Sequence, residues 1–211
     1  MFDAPNPVQR QILPGLSYAA DIVTADEEAT LITRIDAENL SPFRFQGWLG
    51  RRLTHSFGWS YDFDNGRLGR AEAIPDWLHD LKAKAASFAG LRDDELVQAL
   101  LIRYDPGAGI GWHKDRPIFQ HVVGISLGIA ATMRFRRRLD AGFARAQAPL
   151  APRSIYHLSG DARHQWEHSI AAMDATRWSI TFRSLSEKGH KAIVADTAKC
   201  RFGLPPYRFN I

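Results

Sequence analysis

His113 and Asp115, in Gly111-Trp112-His113-Lys114-Asp115, stand two residues apart. On an extended chain, residues i and i+2 face the same way, so an imidazole and a carboxylate can converge there on one ion. Two imidazoles and a carboxylate on one face, with open positions left over, form the ligand set of non-haem iron(II) oxygenases, where a co-substrate and O2 fill the open positions. The third ligand has to come from a distant strand. His168, in Trp166-Glu167-His168-Ser169-Ile170, is one candidate. His164 is four residues earlier and would share its face on a strand, and His157 is a further candidate. Spacing leaves the choice among them open. In isolation, an HxD pair is most simply two polar residues after a Gly turn. His55, His79, His121 and His190 read as ordinary polar or capping residues.

Arg177-Trp178-Ser179-Ile180-Thr181-Phe182-Arg183 alternates strictly. Trp178, Ile180 and Phe182 share one face and suit a core. Arg177, Ser179, Thr181 and Arg183 share the other. Strand rise sets the two Arg Cα atoms roughly 20 Å apart, and the long side chains can lean inward to bracket a short dicarboxylate. The planar guanidinium binds carboxylate at two points and stays charged. The plain alternative is a solvated strand face.

These segments need a β scaffold. Leu96–Tyr104, Val122–Leu127, Ala131–Arg136, Ser154–Leu158, His164–His168 and Arg177–Ser184 read as short strands, with Gly, Pro and Asp clustered between them. Such a run predicts a closed or double-sheet β architecture. Before it, residues 1–10 read as an arm and Gln11–Leu16 as a strand. Thr24 with Glu27 forms a capping pattern for a helix from Ala25 to about Glu38, whose Ala29, Ile32 and Ile35 share a face. Phe43–Gln46 and Arg51–Ser56 read as strands, and Gly58–Ile74 as a long surface loop or lid. A second helix spans Asp76–Phe88 after Pro75, with Leu78, Leu81 and Ala85 on one face. Helices ahead of a β core suit packing on one sheet face.

The bulk numbers fit one sizeable globular domain: 211 residues, 45% hydrophobic and 24% charged. Net charge is +4, which permits an anionic partner without requiring one. Cys200 is the single cysteine, which excludes an intramolecular disulfide and fits a reducing compartment. No secretory signal pattern and no apolar run of membrane-spanning length is visible. The expectation is a soluble, cytoplasmic protein with no membrane association and no obligate protein partner.

Taken together, the segments resemble the AlkB family of 2-oxoglutarate/Fe(II)-dependent dioxygenases. The similar stretches are Ile102-Arg103-Tyr104-Asp105-Pro106-Gly107, the HxD segment, Gly124-Ile125-Ser126-Leu127-Gly128, Ser159-Gly160-Asp161-Ala162-Arg163 through His168, and the Arg177–Arg183 strand. They follow the family's order from about Gly15 to Leu185. Arg51-Arg52 and Phe57-Gly58 look more like the bacterial and tRNA-wobble branches than the best-known bacterial repair enzyme. The resemblance implies an α+β, mainly β, fold: a double-stranded β-helix (jelly-roll) core with N-terminal helices on one sheet. It implies one dioxygenase domain over 1–211, with an extension and lid at about 1–94, the core at about 95–186 and a basic tail at 187–211.

It further implies His113, Asp115 and His168 as iron ligands and catalytic centre. Arg177, helped by the Tyr104 hydroxyl, would clamp the far carboxylate of 2-oxoglutarate. Arg183 would steady the chelating end, and Ser179 and Thr181 would line the pocket. Fe(II), 2-oxoglutarate and O2 would together hydroxylate a C–H bond, and a hydroxylated N-methyl group would leave as formaldehyde. Two positions depart from the pattern. Ile102 replaces an Asn frequent in the repair enzymes. Pro117 stands where the best-known one has an acidic base-reading residue.

A base buried in a duplex has to be flipped out to be oxidised, which calls for cations and a stacking platform. Arg51, Arg52, Lys114 and Arg116 are candidate substrate cations, with Arg134, Arg136, Arg137 and Arg138 beyond them. Phe57, Trp59 and Tyr61 are candidate stacking residues, for which core packing is the plain alternative. In Ala131–Arg136, Met133 and Phe135 face inward and Arg134 and Arg136 outward. The expected function is oxidative demethylation of alkylated nucleobases in DNA or RNA. The alternatives are a 2-oxoglutarate oxygenase acting on tRNA, protein or a small molecule, and a non-catalytic β-fold binding module.

Overall fold

The computed structural model describes residues 10–45, 48–62 and 66–193. The remaining positions of the proposed arm, lid and tail lie outside the described residues. The elements in chain order are β1 (Arg10–Leu13), β2 (Leu16–Ala19), α1 (Ala25–Ala37), β3 (Ser41–Phe45), β4 (Trp48–Asp62), β5 (Arg67–Arg70), α2 (His79–Ala89), β6 (Leu96–Tyr104), β7 (Ile110–His113), β8 (Phe119–Gly128), β9 (Ala131–Arg138), β10 (Phe143–Leu150), β11 (Ile155–Leu158), α3 (Gly160–His164), β12 (Glu167–Ile170) and β13 (Arg177–Leu185).

Two sheets face each other in a double-stranded β-helix. The larger runs β1-β2-β11-β8-β13-β6-β4-β3, with β5 on β4; the smaller runs β10-β9-β12-β7. Alternation along β13 shows how the sequence sets the layers. Ile180 and Phe182 join Leu101, Ile125 and Ile35 in the core beneath α1 and α2. Arg177, Ser179 and Thr181, also buried, point between the sheets. There Tyr104, Met133, Phe135 and Ile170 form a second core. The capping box predicted for α1 is present, with Glu27 N donating to Thr24 Oγ1 at 3.1 Å and Thr24 N to the Glu27 carboxylate at 2.7 Å.

The structure corrects several sequence expectations. Gly58–Ile74 is not one long loop: β4 continues through it and pairs with β5, Trp59 opposite Arg70 and Tyr61 opposite Leu68. Gly58, at φ +77°, lets the strand bend there. On α1 the buried positions are Leu31 and Ile35, and Ala29 is exposed. His164 lies in α3, not on a strand, so it does not share a face with His168. Two strands lie outside those expected from the sequence: β7, which carries the extended segment up to His113, and β10, where small Ala144, Ala146 and Ala148 alternate with Arg145, Gln147 and Pro149. Residues 187–193 are helical. Among the described residues, no helix is long and apolar enough to cross a membrane.

Candidate metal centre and co-substrate pocket

β7 ends at His113, and β12 lies antiparallel to it with His168 directly opposite. That register stacks the two imidazoles 4.3 Å apart. Asp115 follows the end of β7 and turns into the same space. One ligand atom from each of His113, Asp115 and His168 lies within 4.8 Å of the others, close enough for the three side chains to converge on one ion. His113 Nδ1 donates to the Gly111 carbonyl at 2.9 Å, which leaves Nε2 with its lone pair for a metal. Burial, with His113 beside it, pushes His168 down to about 3, so its ring is neutral and can coordinate. Burial alone would raise Asp115, but Arg183, then His168 and His113, outweigh it and hold the carboxylate well below its usual range. The Asp115 oxygens divide their contacts: one accepts from Arg183 at 3.2 Å, and the other is 3.6 Å from His168 Nε2.

Arg177 is 1% exposed. It donates to Ser126 Oγ and lies over the Tyr104 ring at 5.2 Å. Its Nε and Nη1 are buried without a hydrogen-bond partner. Burying a guanidinium with donors unmet is costly, and an anion would supply what is missing. Arg183, at the other end of the polar face, donates to Gln98 at 3.0 Å and keeps a buried, unpartnered Nε. Ser179 and Thr181 lie between the two arginines, buried on the same side. The pocket therefore offers two guanidiniums for a dicarboxylate beside a His/Asp/His cluster for a metal, and the donor set suits iron(II).

Three residues with no role in the sequence reading join this site. Tyr156 packs against Gly124, where an added Cβ would meet its ring at 2.2 Å. Burial, then Tyr104 and Asp115, push its phenol up to about 12, which places it among the charged groups of the pocket. The buried Arg163 of α3 donates to the carbonyls of Arg116 at 2.5 Å and Phe119 at 2.7 Å, pinning the chain just after Asp115. Gln98 orients Arg183. Their signal in the sequence was slight: a Tyr on a short strand, a lone Arg in a turn-rich stretch, and a Gln within an apolar strand.

The predicted substrate residues disperse. Arg52 sits on the site side of β4, with its guanidinium 3.8 Å from the Phe43 ring centre. Burial lowers its pKa, while Tyr104 and Asp115 act to raise it. Arg51 is exposed. Tyr61 lies beneath Arg116, whose guanidinium is 5.1 Å from its ring. Lys114 is exposed and donates to the His164 carbonyl at 3.1 Å. Trp59 packs with Tyr61 on the Leu68, Ile118, Phe119 and Leu185 cluster. Phe57 is a correction: it is 3% exposed in the core beneath the helices, on the face of β4 away from the metal cluster, and cannot stack on a substrate. His157 also falls outside the cluster, its Nε2 2.9 Å from His121 Nδ1.

Comparison with known proteins follows the same line. The model of the 2OG-Fe(II) oxygenase superfamily matches residues 16–202. The chain is 28% identical over 162 residues to tRNA (carboxymethyluridine(34)-5-O)-methyltransferase alkbh8 of Xenopus tropicalis, covering 74% of this chain and 25% of that protein. It thus spans a quarter of that relative's length. It is 27% identical over 158 residues to the alpha-ketoglutarate-dependent dioxygenase AlkB of Escherichia coli (strain K12), covering 67% and 68% of the two chains. Among solved structures, OsALKBH1 superposes with a TM-score of 0.63 at 16% identity over 83% of this chain and 99% of that one, a likeness of fold.

Proposed function

This chain belongs to the 2OG-Fe(II) oxygenase superfamily, and from that premise we propose that it oxidatively demethylates alkylated nucleobases, with His113, Asp115 and His168 holding the iron. The superfamily's cofactor and co-substrates are Fe(II), 2-oxoglutarate and O2. The observation that carries the reading is the meeting of the His/Asp/His cluster with a buried arginine whose donors lack an acceptor. A non-catalytic binding module has no use for that combination.

Arg177 takes the far carboxylate of 2-oxoglutarate, with Tyr104 beneath its guanidinium. Ser179 and Thr181 line the space between. Arg183 keeps Asp115 ionised and oriented and steadies the chelating end. Tyr156 offers a hydroxyl on the same face, where Ile102 has no polar group to give. Iron(II) held by His113, Asp115 and His168 would supply the oxidising chemistry, in which O2 is consumed with 2-oxoglutarate to give succinate and CO2 and one oxygen atom is inserted into a substrate C–H bond. On an N-methyl group the resulting hemiaminal releases formaldehyde and the free amine. The protein's part is to fix the open positions and keep them dry.

Nucleic acid as substrate is supported by the AlkB-type relatives, by the tRNA named for the Xenopus relative, and by cations near the site: Arg52, Arg116 and, on the exposed surface, Arg51 and Lys114. Trp59 and Tyr61 remain the stacking candidates. With Pro117 in place of an acidic base reader, a modified tRNA base is the favoured alternative. A reducing, cytoplasmic setting suits the single cysteine, Cys200. The test is aerobic incubation with Fe(II), 2-oxoglutarate and methylated DNA or RNA oligonucleotides or tRNA. Formaldehyde or a hydroxylated nucleoside, matched by succinate and abolished in His113→Ala, is expected. No change in any nucleic acid, with succinate formed on a protein or small molecule instead, would overturn the substrate class.

A further inference from the structure

We propose that the outer face of the small sheet is a binding surface for a nucleic-acid backbone, separate from the pocket that takes the target base. This rests on the nucleic-acid reading above and extends it to a surface outside the site. Alternation on β9 turns Met133 and Phe135 inward and sends Arg134, Arg136 and Arg138 to the other side. On β10, Phe143 lies opposite Arg138, and Arg145 opposite Arg136. Glu167 of β12 is the acidic group among these strand positions, paired with Arg136 at 2.6 Å. Four arginines less one glutamate leave +3 on one sheet face, in a chain whose whole net charge is +4.

Aromatic rings lie among the guanidiniums. Arg136 lies 4.5 Å from the Trp112 ring centre and 4.9 Å from that of Phe143. Arg134 stands 5.4 Å from Trp112, with its Nε on Ser169 Oγ at 3.1 Å. Arg138 and Arg145 stand 5.9 and 5.8 Å from Phe143. A guanidinium beside an aromatic ring keeps N–H groups for an acceptor. Alternate residues of a strand recur every ~6.6 Å, close to the repeat of phosphates along a nucleic-acid chain. Arginine with interleaved aromatic rings serves both phosphates and bases.

The face is also continuous with the site. Trp112 precedes His113 on β7, an edge strand of the small sheet, and exposed Lys114 follows. A chain that crosses from Arg136 over Trp112 to Lys114 rounds that edge toward the metal side. The regular spacing and the rings favour a nucleic acid over an acidic protein.

The test is the double variant Arg138→Glu/Arg145→Glu, with Arg138→Gln/Arg145→Gln beside it, assayed by fluorescence anisotropy on a labelled single-stranded 20-mer across a KCl series. The visible Fe(II)–2-oxoglutarate absorption checks that each variant keeps an intact site. Two lost phosphate contacts should weaken binding about ten-fold or more and flatten the log K against log salt slope by about 1.4. Wild-type binding with unchanged affinity and slope in both variants would overturn this surface and leave the proposed activity standing. Failure of the wild type to bind any oligonucleotide would overturn surface and nucleic-acid substrate together. Equal loss of poly-glutamate binding would reduce the face to a general polyanion site and overturn the assignment to nucleic acid.

Discussion

Arg177 shows how a single side chain can be built for a ligand and against the stability of the empty protein. It is 1% exposed, has Ser126 as hydrogen-bond partner, and buries two further nitrogens unpaired. Arg177→Gln removes an uncompensated charge, so the metal- and co-substrate-free protein should unfold at an unchanged or higher temperature. Its 2-oxoglutarate affinity should fall by about 100-fold, because truncating one member of a buried charge pair costs about 2–5 kcal/mol. Calorimetric titration alongside thermal melts measures both, and a variant that melts lower yet binds 2-oxoglutarate normally would refute the assignment. Arg163 acts differently. It donates to two carbonyls just beyond Asp115, so Arg163→Met should leave those acceptors unmet and loosen the segment carrying a ligand. Metal affinity should drop about ten-fold or more, the scale seen when groups supporting metal ligands are lost, while 2-oxoglutarate selectivity is retained. Cobalt(II) titration followed in the visible range reads the change directly.

At the level of elements, register does most of the work. The antiparallel pairing that sets His168 opposite His113 converts two residues far apart in sequence into neighbours. A one-residue slip of β12 would turn His168 to the outer face. The β4–β5 hairpin depends on a different local device. Gly58 has φ +77°, and a Cβ there would stand 2.1 Å from the Val97 carbonyl oxygen. Gly58→Ala is therefore both strained and obstructed. It should cost about 3 kcal/mol or more and expose Trp59 and Tyr61, seen as a red-shifted tryptophan emission and earlier proteolysis in the hairpin. Normal emission and stability would show that the bend is not required.

Across the whole molecule, stability should depend on pH through a histidine pair remote from the metal cluster. His157 of β11 is buried, its Nε2 2.9 Å from His121 Nδ1 of β8, and burial followed by His121 lowers it to about 4. Its folded pKa is below the unfolded value of about 6.5, so between those values the unfolded chain binds more protons. The stabilisation is full above pH 6.5 and is lost as pH falls toward 4, by up to about 3 kcal/mol. His157→Asn should flatten that slope in urea unfolding measured from pH 7.5 to 4.5. A variant that keeps the wild-type slope would assign the dependence elsewhere, His168 being the next group with a strongly lowered value.

The local patterns pointed toward the chemistry, and the order of the motifs along the chain gave them their family resemblance. Strict alternation from Arg177 to Arg183, the HxD spacing and the Thr24–Glu27 capping pattern are short-range features, fixed by backbone geometry that neighbouring residues share. The choice of His168 over His164 and His157 was not local. Spacing left all three open and the family resemblance pointed to His168; the folding of 160–164 into a helix and the pairing of β12 with β7 supply the physical reason. The same holds for Phe57, whose face was decided by β4 pairing with β6, and for Tyr156 and Arg163, which gain meaning from groups distant in sequence. Alternation tells which side chains share a face; what that face meets depends on strand pairing and on the burial that raises or lowers each charge, and those exist only once the two sheets have closed on each other.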